Sequence, residues 1–275
     1  LPMALWSCVL GVPTVYEAHS PVNSRDRYAR LMWTSIAKRN SFRALVVISR
    51  SLAARFIKDC IREHKKLIVA PDAARRTSRV TAHLPQPITK ARLRAVYMGH
   101  LFSGKGLELV CALTHRCPWL DFHIYGGPGH RIPALAALAN PANCHFHGEI
   151  PHAQVAHTLA LADIALLPNE PQSHGHGENE DIGAYTSPLK LFEYMAIGLP
   201  VVASGLPVLR EVLTDNVNAL LCPWNDPKAW ESALERLRDP QLRQRLGNGG
   251  RRCIEEIHNW QYRTRRIIAS ATLKN

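Results

Sequence analysis

The sequence predicts an α/β protein whose strands form parallel, doubly wound sheets. Short apolar runs rich in Val, Ile, Leu and Ala recur along the chain, and segments with helical periodicity separate them. Most of these runs do not alternate with polar residues, which is typical of strands that are buried on both faces. Gly, Pro and Ser follow many of the runs and mark turns. Strict alternation of strand and helix indicates parallel strands joined by right-handed crossovers.

The first third of the chain is predicted to hold three strands. Gly11 and Pro13 end an opening helix, and Ser49 or Ser51 is the expected N-cap of a later helix. The predicted elements are helix 3–10, strand 14–18, helix 25–39, strand 44–48, a helix that ends near residue 63, and strand 66–70. Three strands make a thin core for a domain of this class, so we expect the first domain to be incomplete.

A second and longer domain is predicted after an Arg-, Thr- and Pro-rich linker at 73–94. Its predicted strands are 95–98, 122–125, 144–147, 164–168, 201–203 and 219–222. Its predicted helices are 107–116, 132–138, 152–161, 189–197, 208–213, 227–238 and 240–258, and a last helix spans 260–270. We therefore expect a first domain at 1–88, a second domain at 89–258 and a separate C-terminal helical segment at 259–275.

Composition and charge narrow the classes of function. Hydrophobic residues make up 46% of the 275 residues, which supports a real core, and no apolar run approaches the ~20 residues of a membrane-spanning helix. Residues 1–94 carry 18 Lys and Arg against 5 Asp and Glu, whereas residues 95–275 carry 16 against 17. The basic part is either a solvated surface or the contact for an anionic partner such as a membrane surface or a lipid phosphate. No zinc-finger or RNP motif accompanies it, so we expect no nucleic-acid partner.

The cysteines give an expectation about the compartment. The sequence has seven of them, scattered and without CxxC pairs. This pattern is typical of small core residues in a reducing compartment rather than of a disulfide framework or a zinc site. We therefore expect a cytoplasmic protein, with peripheral contact to the inner face of the membrane through its basic half.

The most informative stretch of the chain is 187–204, SPLKLFEYMAIGLPVVAS. Leu189, Phe192 and Met195 recur at helical spacing and predict the buried face of a short helix. Gly198 ends this helix, and the apolar run behind it predicts a buried parallel strand.

Two charged residues lie near the start of that helix. Lys190 and Glu193 are one turn apart, where free N–H groups and the helix dipole favour an anion. A lysine suits phosphate and a carboxylate suits sugar hydroxyls, so the pair suits a nucleotide-sugar. The residues alone leave open an ordinary surface pair on a helix.

Four segments in order carry a resemblance to a known family. They are 97–106 (YMGHLFSGKG), 146–150 (FHGEI), 162–168 (ADIALLP) and 187–204. Together they resemble the GRL…KG turn, the F.G.V strand end, the ADV.V.P strand and the carboxylate helix with G.PVVAS of the family 4 GT-B glycosyltransferases (glycosyl transferases group 1). The resemblance covers nearly the whole chain. It implies the GT-B fold, an α/β fold of two Rossmann-like domains facing each other, with the N-terminal one truncated here.

The resemblance implies roles for individual residues. Lys105 would hold the donor diphosphate, Glu193 would hydrogen-bond the ribose, the backbone of Ile150 would face the base, and His19 would lie near the donor sugar. The implied catalytic residues are His19, Lys105 and Glu193. The implied donor-binding residues are Gly104, Lys105, Ile150, Ser187, Leu189, Lys190 and Glu193. The residues alone leave open that His19 is structural and that Lys105 is a solvated lysine at a helix start.

Two positions depart from the family pattern. Tyr185 stands eight residues before Glu193, where the family often has a second glutamate that faces the donor sugar. His100 stands where an arginine is usual and would make a weaker, pH-dependent contact with phosphate. The family uses no metal in catalysis, and we interpret the His- and Gly-rich loop at 174–181 as a polar loop rather than a metal site.

The resemblance implies a glycosyltransferase that moves a sugar from a nucleotide-diphosphate donor to a glycan or lipid-linked acceptor. It further implies a retaining reaction in cell-surface polysaccharide or glycolipid synthesis, with the nucleotide-sugar as substrate and no cofactor. The alternative is a truncated, inactive member that binds nucleotide-sugar or serves as a partner subunit, which Tyr185 and His100 favour. A sugar-nucleotide epimerase or a phosphorylase with the same fold is the third interpretation, since fold alone does not decide function.

Overall fold

The computed structural model describes residues 1–22, 27–59, 67–76, 92–173, 181 and 183–272. The chain forms two compact units, each with its own parallel sheet and core. The first unit comprises Leu1–Asp72, Ala184–Ser187 and Trp260–Asn275. The second unit comprises Ala73–Gly183 and Pro188–Asn259.

Strands and helices alternate along most of the chain. The strands are β1 (Thr14–Ala18), β2 (Phe42–Val47), β3 (Leu67–Val69), β4 (Leu93–Met98), β5 (Leu120–Tyr125), β6 (Cys144–Gly148), β7 (Ile164–Leu167), β8 (Val201–Ser204) and β9 (Leu220–Cys222). The helices are α1 (Pro2–Val9), α2 (Arg27–Ala37), α3 (Arg50–Asp59), α4 (Leu107–Arg116), α5 (Ile132–Ala136), α6 (His152–Ala160), α7 (Leu189–Ile197), α8 (Pro227–Arg236), α9 (Pro240–Glu256) and α10 (Trp260–Thr272). This agreement confirms the predicted α/β class.

The first unit is built on a parallel sheet of order β1-β2-β3. One face packs on a core centred on Trp33, whose ring lies 5.7 Å from that of Phe42 and 5.6 Å from that of Phe56. The other face is covered by α10 through Ile267 and Ala271. The last helix of the chain therefore completes the core of the first unit.

The second unit is built on a six-stranded parallel sheet of order β6-β5-β4-β7-β8-β9. Apolar clusters on both of its faces are buried under α4 and α8 on one side and under α6 and α7 on the other. Because every strand is parallel, all carboxyl ends lie at one edge, which is where open α/β sheets bind ligands. The turn after β4, the segment after β6 and the start of α7 meet at this edge.

Local sequence explains where several helices begin and end. Gly198 ends α7 with a φ of +82°, a left-handed conformation that glycine adopts without strain. Asp226 caps α8, since its Oδ1 accepts hydrogen bonds from Lys228 N at 3.0 Å and Ala229 N at 3.2 Å. Pro227 then stands at the first position of that helix, where its missing N–H costs nothing.

Three details of the sequence analysis are wrong. Leu189 is half exposed rather than buried, since it stands at the first position of α7, where the helix begins. The helix predicted at 208–213 is only a 3₁₀ turn, Leu209–Glu211, since so short a segment makes few α-type hydrogen bonds. The segment 73–94 is not wholly a linker, because Ala74 is buried in the second unit and β4 already begins at Leu93.

Some predictions lie outside the described residues. They are the start of the helix at 25–39, the helix end near 63, the first residue of strand 66–70, the domain boundary at 88/89 and most of the loop at 174–181. Among the helices that the structure describes, none is both long and apolar enough to cross a lipid bilayer.

Candidate functional site

A glycine turn after β4 fits tightly against the chain that follows β7. Gly104 and Gly106 have φ values of +80° and +73°. A Cβ on Gly104 would overlap the backbone carbonyl of Gln172, and one on Gly106 would overlap that of Pro168. Only glycine combines this backbone conformation with such close approach. The two glycines therefore fix the position of the residue between them.

That residue is Lys105, which is partly buried at the carboxyl edge of the second sheet. Burial lowers the pKa of its ammonium group, and no charged neighbour counteracts the shift. Among the described residues, no carboxylate forms an ion pair with it. Helix α4 begins at Leu107, so the positive end of a helix dipole lies beside this charge. The arrangement suits a bound anion, which would compensate the Lys105 ammonium group for the water that burial removes.

The start of α7 offers a second anion-binding element at the same edge. Pro188 precedes the helix and provides no side-chain cap, while Leu191 N bonds back to Pro188 O at 3.0 Å. Leu189 and Lys190 therefore present first-turn N–H groups that no described side chain caps.

Lys190 and Glu193 pair with each other on α7. Lys190 Nζ donates a hydrogen bond to Glu193 Oε2 at 3.0 Å, and the two side chains are 31% and 26% exposed. The contact is the i,i+3 ion pair that the sequence left open, and both groups remain accessible to a ligand. A phosphate at the helix start would compete for the lysine and release the carboxylate.

Ile150 lies just beyond the end of β6, where it packs partly buried against the core. Gly148 precedes it with a φ of +69°, and its carbonyl oxygen accepts a hydrogen bond from Gly126 N at 2.7 Å. The ends of β5 and β6 are thus tied together, which places the backbone of Ile150 at the same carboxyl edge as Lys105.

The first unit contains a separate cluster of charged residues at the ends of β1 and β3. Glu17 Oε1 bonds His19 Nε2 at 3.0 Å, and the Arg263 guanidinium donates to both Glu17 oxygens at 2.7 and 3.1 Å. The same guanidinium donates to the carbonyl oxygens of Pro71 at 3.0 Å and Ala70 at 3.2 Å. Arg263 from α10 therefore links two strand ends.

The cluster shifts the pKa values of its members. Hydrogen bonding to His19, with Arg263 adding to it, lowers the pKa of Glu17 to about 2. The bond to Glu17 in turn raises the pKa of His19, so the fold favours its charged imidazolium form. Burial raises the pKa of Asp72, whose backbone N–H donates to Ser187 Oγ at 3.1 Å. The imidazole of His19 is exposed, and its bond to Glu17 favours the protonated form, in which both ring nitrogens are hydrogen-bond donors.

The donor atoms of Glu17, His19 and Asp72 lie within 4.8 Å of one another, close enough to consider a metal ion. Arg263 occupies both Glu17 oxygens and brings a fixed positive charge into the cluster. A cation would have to displace this guanidinium. The chemistry of the cluster therefore favours an anionic or hydroxyl-bearing ligand.

Comparison with known proteins places the chain in a family. The sequence model of the glycosyl transferases group 1 matches residues 92–239, which is more than half of the chain. The chain belongs to the group 1 glycosyltransferases. It is 30% identical over 192 residues to a D-inositol 3-phosphate glycosyltransferase of Xylanimonas cellulosilytica, a match that covers 66% of this chain and 42% of that protein. It is 36% identical over 152 residues to the amylovoran biosynthesis glycosyltransferase AmsK of Erwinia amylovora. This match covers 53% of this chain and 36% of that protein.

Solved structures show the same fold as this group 1 glycosyltransferase. Anabaena Alr3699/HepE in complex with UDP and glucose superposes with a TM-score of 0.72 at 15% identity, covering 98% of this chain and 74% of that one. The lipopolysaccharide outer core galactosyltransferase WaaB superposes with a TM-score of 0.71 at 14% identity, covering 99% of this chain and 78% of that one. These likenesses show the GT-B fold. The chain spans less than half the length of the curated relatives it matches.

The predicted site residues of this group 1 glycosyltransferase fall into two sets. Gly104, Lys105, Ile150, Leu189, Lys190 and Glu193 belong to the second unit, at the carboxyl edge of its sheet. His19 and Ser187 belong to the first unit, on either side of Asp72. Within these sets, Lys190 is hydrogen-bonded to Glu193, and His19 is hydrogen-bonded to Glu17.

Sequence reasoning missed Glu17, Asp72 and Arg263 as parts of the site. Glu17 and His19 are two residues apart at the end of β1, which signals a shared face. Arg263 lies on α10, at the other end of the chain. No spacing rule pairs it with Glu17, since 246 residues separate them.

Proposed function

We propose that the chain is a sugar transferase that binds a nucleotide-diphosphate-sugar and passes the sugar to a glycan or lipid-linked acceptor. The observation that carries the proposal is Lys105, a partly buried ammonium group without a described counter-ion beside the start of α4. In the reaction, the bond between the sugar and the β-phosphate breaks, and negative charge grows on the departing diphosphate. A fixed positive charge at that point stabilises the transition state more than the ground state.

The start of α7 would hold the rest of the donor. The N–H groups of Leu189 and Lys190 would bind phosphate oxygens, and the Lys190 ammonium would turn from Glu193 to the phosphate. The Glu193 carboxylate would then accept hydrogen bonds from ribose hydroxyls. On binding, the hydrogen bond between Lys190 and Glu193 would thus be replaced by one contact of each residue with the nucleotide.

His19 would act on the sugar. Its imidazolium form, which Glu17 stabilises, can donate a hydrogen bond to a sugar hydroxyl. In a retaining reaction the acceptor oxygen attacks from the face that the phosphate leaves. The acceptor proton would pass to the departing phosphate oxygen, which balances the reaction without a protein base.

Calorimetric titration with UDP, GDP and ADP tests the donor site. We expect micromolar binding of one nucleotide, weakened about 10–100-fold by Glu193→Ala because a hydrogen bond to a charged group is lost. The matched control is Glu235→Ala, since Glu235, on α8, also forms an i,i+3 ion pair, with Arg238 at 2.7 Å. Equal affinity in wild type and the Glu193 variant would contradict the assignment.

A second candidate is a member that binds the donor without turnover. Tyr185 supports it, because the position holds an aromatic ring packed on the core of the first unit, and its carbonyl oxygen accepts from Ser49 Oγ at 3.0 Å. No carboxylate is available at this position to face a sugar. The test supplies the protein with the nucleotide-sugar of the nucleotide that it binds, together with an acceptor. Binding of the nucleotide without release of nucleotide from this nucleotide-sugar would favour the second candidate.

A lipid-linked acceptor is supported by an exposed apolar face in the basic half of the chain. Met3, Trp6 and Leu10 are 85%, 67% and 75% exposed along one side of α1, and Tyr28 and Leu31 are 80% and 67% exposed on the neighbouring α2. We propose that this face, with the surrounding basic residues, contacts an anionic membrane surface.

Co-sedimentation with vesicles tests the membrane contact. We expect binding to vesicles that contain anionic lipid, weakened by salt and by Trp6→Glu. Leu138→Glu is the control, because Leu138 is a comparably exposed apolar residue of the second unit. Binding that persists in the Trp6 variant would refute this contact surface.

A further inference from the structure

Strand β4 separates from its neighbour β7 before either strand ends. In the described sheet the two strands pair at two positions, and the second of these joins Val96 to Ala165. Each strand then continues for two residues, to Met98 in β4 and to Leu167 in β7. Strand order reverses here, since β5 and β6 lie on one side of β4 and β7, β8 and β9 lie on the other. The opening is therefore the topological switch point, where sheets of this type bind ligands.

Tyr194 of α7 makes the hydrogen bonds that β7 does not make with the end of β4. Its hydroxyl accepts a hydrogen bond from Met98 N at 2.9 Å and donates one to Met98 O at 3.3 Å. Both residues are buried, with Met98 5% and Tyr194 0% exposed, so solvent does not compete for these bonds. Burial also raises the pKa of Tyr194, and the hydroxyl therefore stays protonated and can keep both bonds.

The hydroxyl of Tyr194 links α7 to the strand that leads into the Lys105 turn. The next backbone donor along the chain, Gly99 N, points the other way and bonds to Tyr125 O of β5 at 3.0 Å. The end of β4 is thus held by β5 on one side and by α7 on the other. The contact with α7 is made by a side chain rather than by a strand, so it depends on a single hydroxyl group.

The same helix carries two of the residues that we propose to bind the nucleotide. Glu193 directly precedes Tyr194, and Lys190 lies one turn earlier on the same side of the helix as Tyr194. Lys105 follows Met98 by seven residues in the chain. One nucleotide diphosphate can contact residues of both elements only if α7 and the turn keep a fixed separation.

We propose that Tyr194 is a positioning residue of the donor site: its hydroxyl, bonded to both backbone polar atoms of Met98, holds α7 at a fixed distance from the turn that carries Lys105. The inference rests on the proposed nucleotide-sugar site. Tyr194 itself would not touch the donor, because it is fully buried, and it would act through Lys105, Lys190 and Glu193. Precise placement matters, since a displacement of about 1 Å can lower a rate by about 100-fold.

Tyr194→Phe tests the role, because it removes the hydroxyl and keeps the ring in the core. Calorimetric titration with UDP, GDP and ADP is the measurement. We expect the nucleotide that the wild type binds to bind the variant about tenfold more weakly, at the lower end of the loss of a hydrogen bond to a charged group. In the Lys105→Ala protein the same substitution should change the affinity by less than about twofold, because the contact that it positions is already absent.

Thr114→Val is the matched control. The Thr114 hydroxyl is also fully buried in the second unit, near the C-terminal end of α4. It accepts a hydrogen bond from Asn140 N at 2.8 Å and donates one to Cys111 O at 2.6 Å. Its removal leaves a buried backbone N–H without its partner, as Tyr194→Phe does. We expect a comparable fall in melting temperature in the two variants, and wild-type nucleotide affinity in the control.

Hydrogen exchange without nucleotide measures the link itself. We expect peptides that cover residues 97–106 to exchange faster in the Tyr194 variant than in the wild type and in the Thr114 variant. Unchanged exchange would overturn the proposal, and so would a Tyr194 variant with wild-type affinity or with an equal loss of affinity in the presence and absence of Lys105. A wild type that binds none of the three nucleotides would instead refute the donor site, and the positioning role with it.

Discussion

Replacing Lys105 with alanine is expected to lower the rate of sugar transfer by about two to three orders of magnitude, the usual effect of removing one group that stabilises developing negative charge. The ammonium group is partly buried and lacks a described counter-ion, so its charge is available to the donor. Its position is fixed by Gly104 and Gly106, whose contacts leave the turn no freedom to bring another residue there.

The matched control is Lys228→Ala. Lys228 is an exposed lysine in the first turn of α8, so it shares the helix-start setting of Lys105 without its burial. We expect the control to keep the wild-type rate and nucleotide affinity. Transfer kinetics with saturating donor separate the effects, because loss of a contact made mainly in the transition state lowers kcat and kcat/KM together. A Lys105 variant as active as the Lys228 variant would disprove the assigned role.

The pH dependence of the Lys105 contact follows from its lowered pKa. The charged form is required, so its contribution declines as pH rises through a value below the ordinary 10.5 of lysine. We expect diphosphate affinity in the wild type to fall at alkaline pH, and the Lys105→Ala protein to lack this decline.

The elements that carry the residues proposed to bind the donor were predictable because their determinants are local. The glycine turn before α4 and the Gly198 end of α7 depend on backbone conformations that only glycine favours, and these show directly in the sequence. The order of buried strands follows from short apolar runs. Sequence reasoning therefore located Lys105, Lys190 and Glu193 on their elements.

The polar cluster of the first unit was not predictable because it depends on tertiary contacts. Glu17, Asp72 and Arg263 come from β1, from the end of β3 and from α10, and no local pattern encodes their meeting. The same holds for Leu189, whose apolar side chain fits a helical pattern but is half exposed at the first position of α7. Periodicity predicts which face of a helix is apolar, and only the packed structure shows how far the core extends.

Replacing Arg263 with methionine is expected to destabilise the first unit by about 2–3 kcal/mol, below the usual cost of breaking a fully buried ion pair because the Glu17 side chain is about one-third exposed. Methionine keeps the length of the side chain and loses the guanidinium. The Glu17 carboxylate and the carbonyl oxygens of Ala70 and Pro71 then lose their donor. Urea unfolding of the whole chain, followed by circular dichroism, measures the change.

Arg266→Met is the control, since Arg266 lies on the same helix with its side chain exposed. We expect the free energy of unfolding of this variant to differ from that of the wild type by less than about 0.5 kcal/mol, as is usual for surface substitutions. A Glu17→Gln/Arg263→Met double variant less destabilised than the sum of its single variants would show that the two residues act as a pair. Strict additivity would mean that Arg263 acts through the two carbonyl groups alone.

Acid should narrow the difference in stability between wild type and the Arg263 variant. The fold lowers the pKa of Glu17 from 4.5 to about 2, first through His19 and then through Arg263. A lowered carboxyl pKa stabilises the fold above pH 4.5, and this contribution is lost as pH falls toward 2. The difference in the free energy of unfolding between wild type and the Arg263 variant should therefore be largest near neutral pH and should decrease between pH 4.5 and 2. A gap that stays constant over this range would show that Arg263 stabilises the first unit by packing rather than through the charge of Glu17.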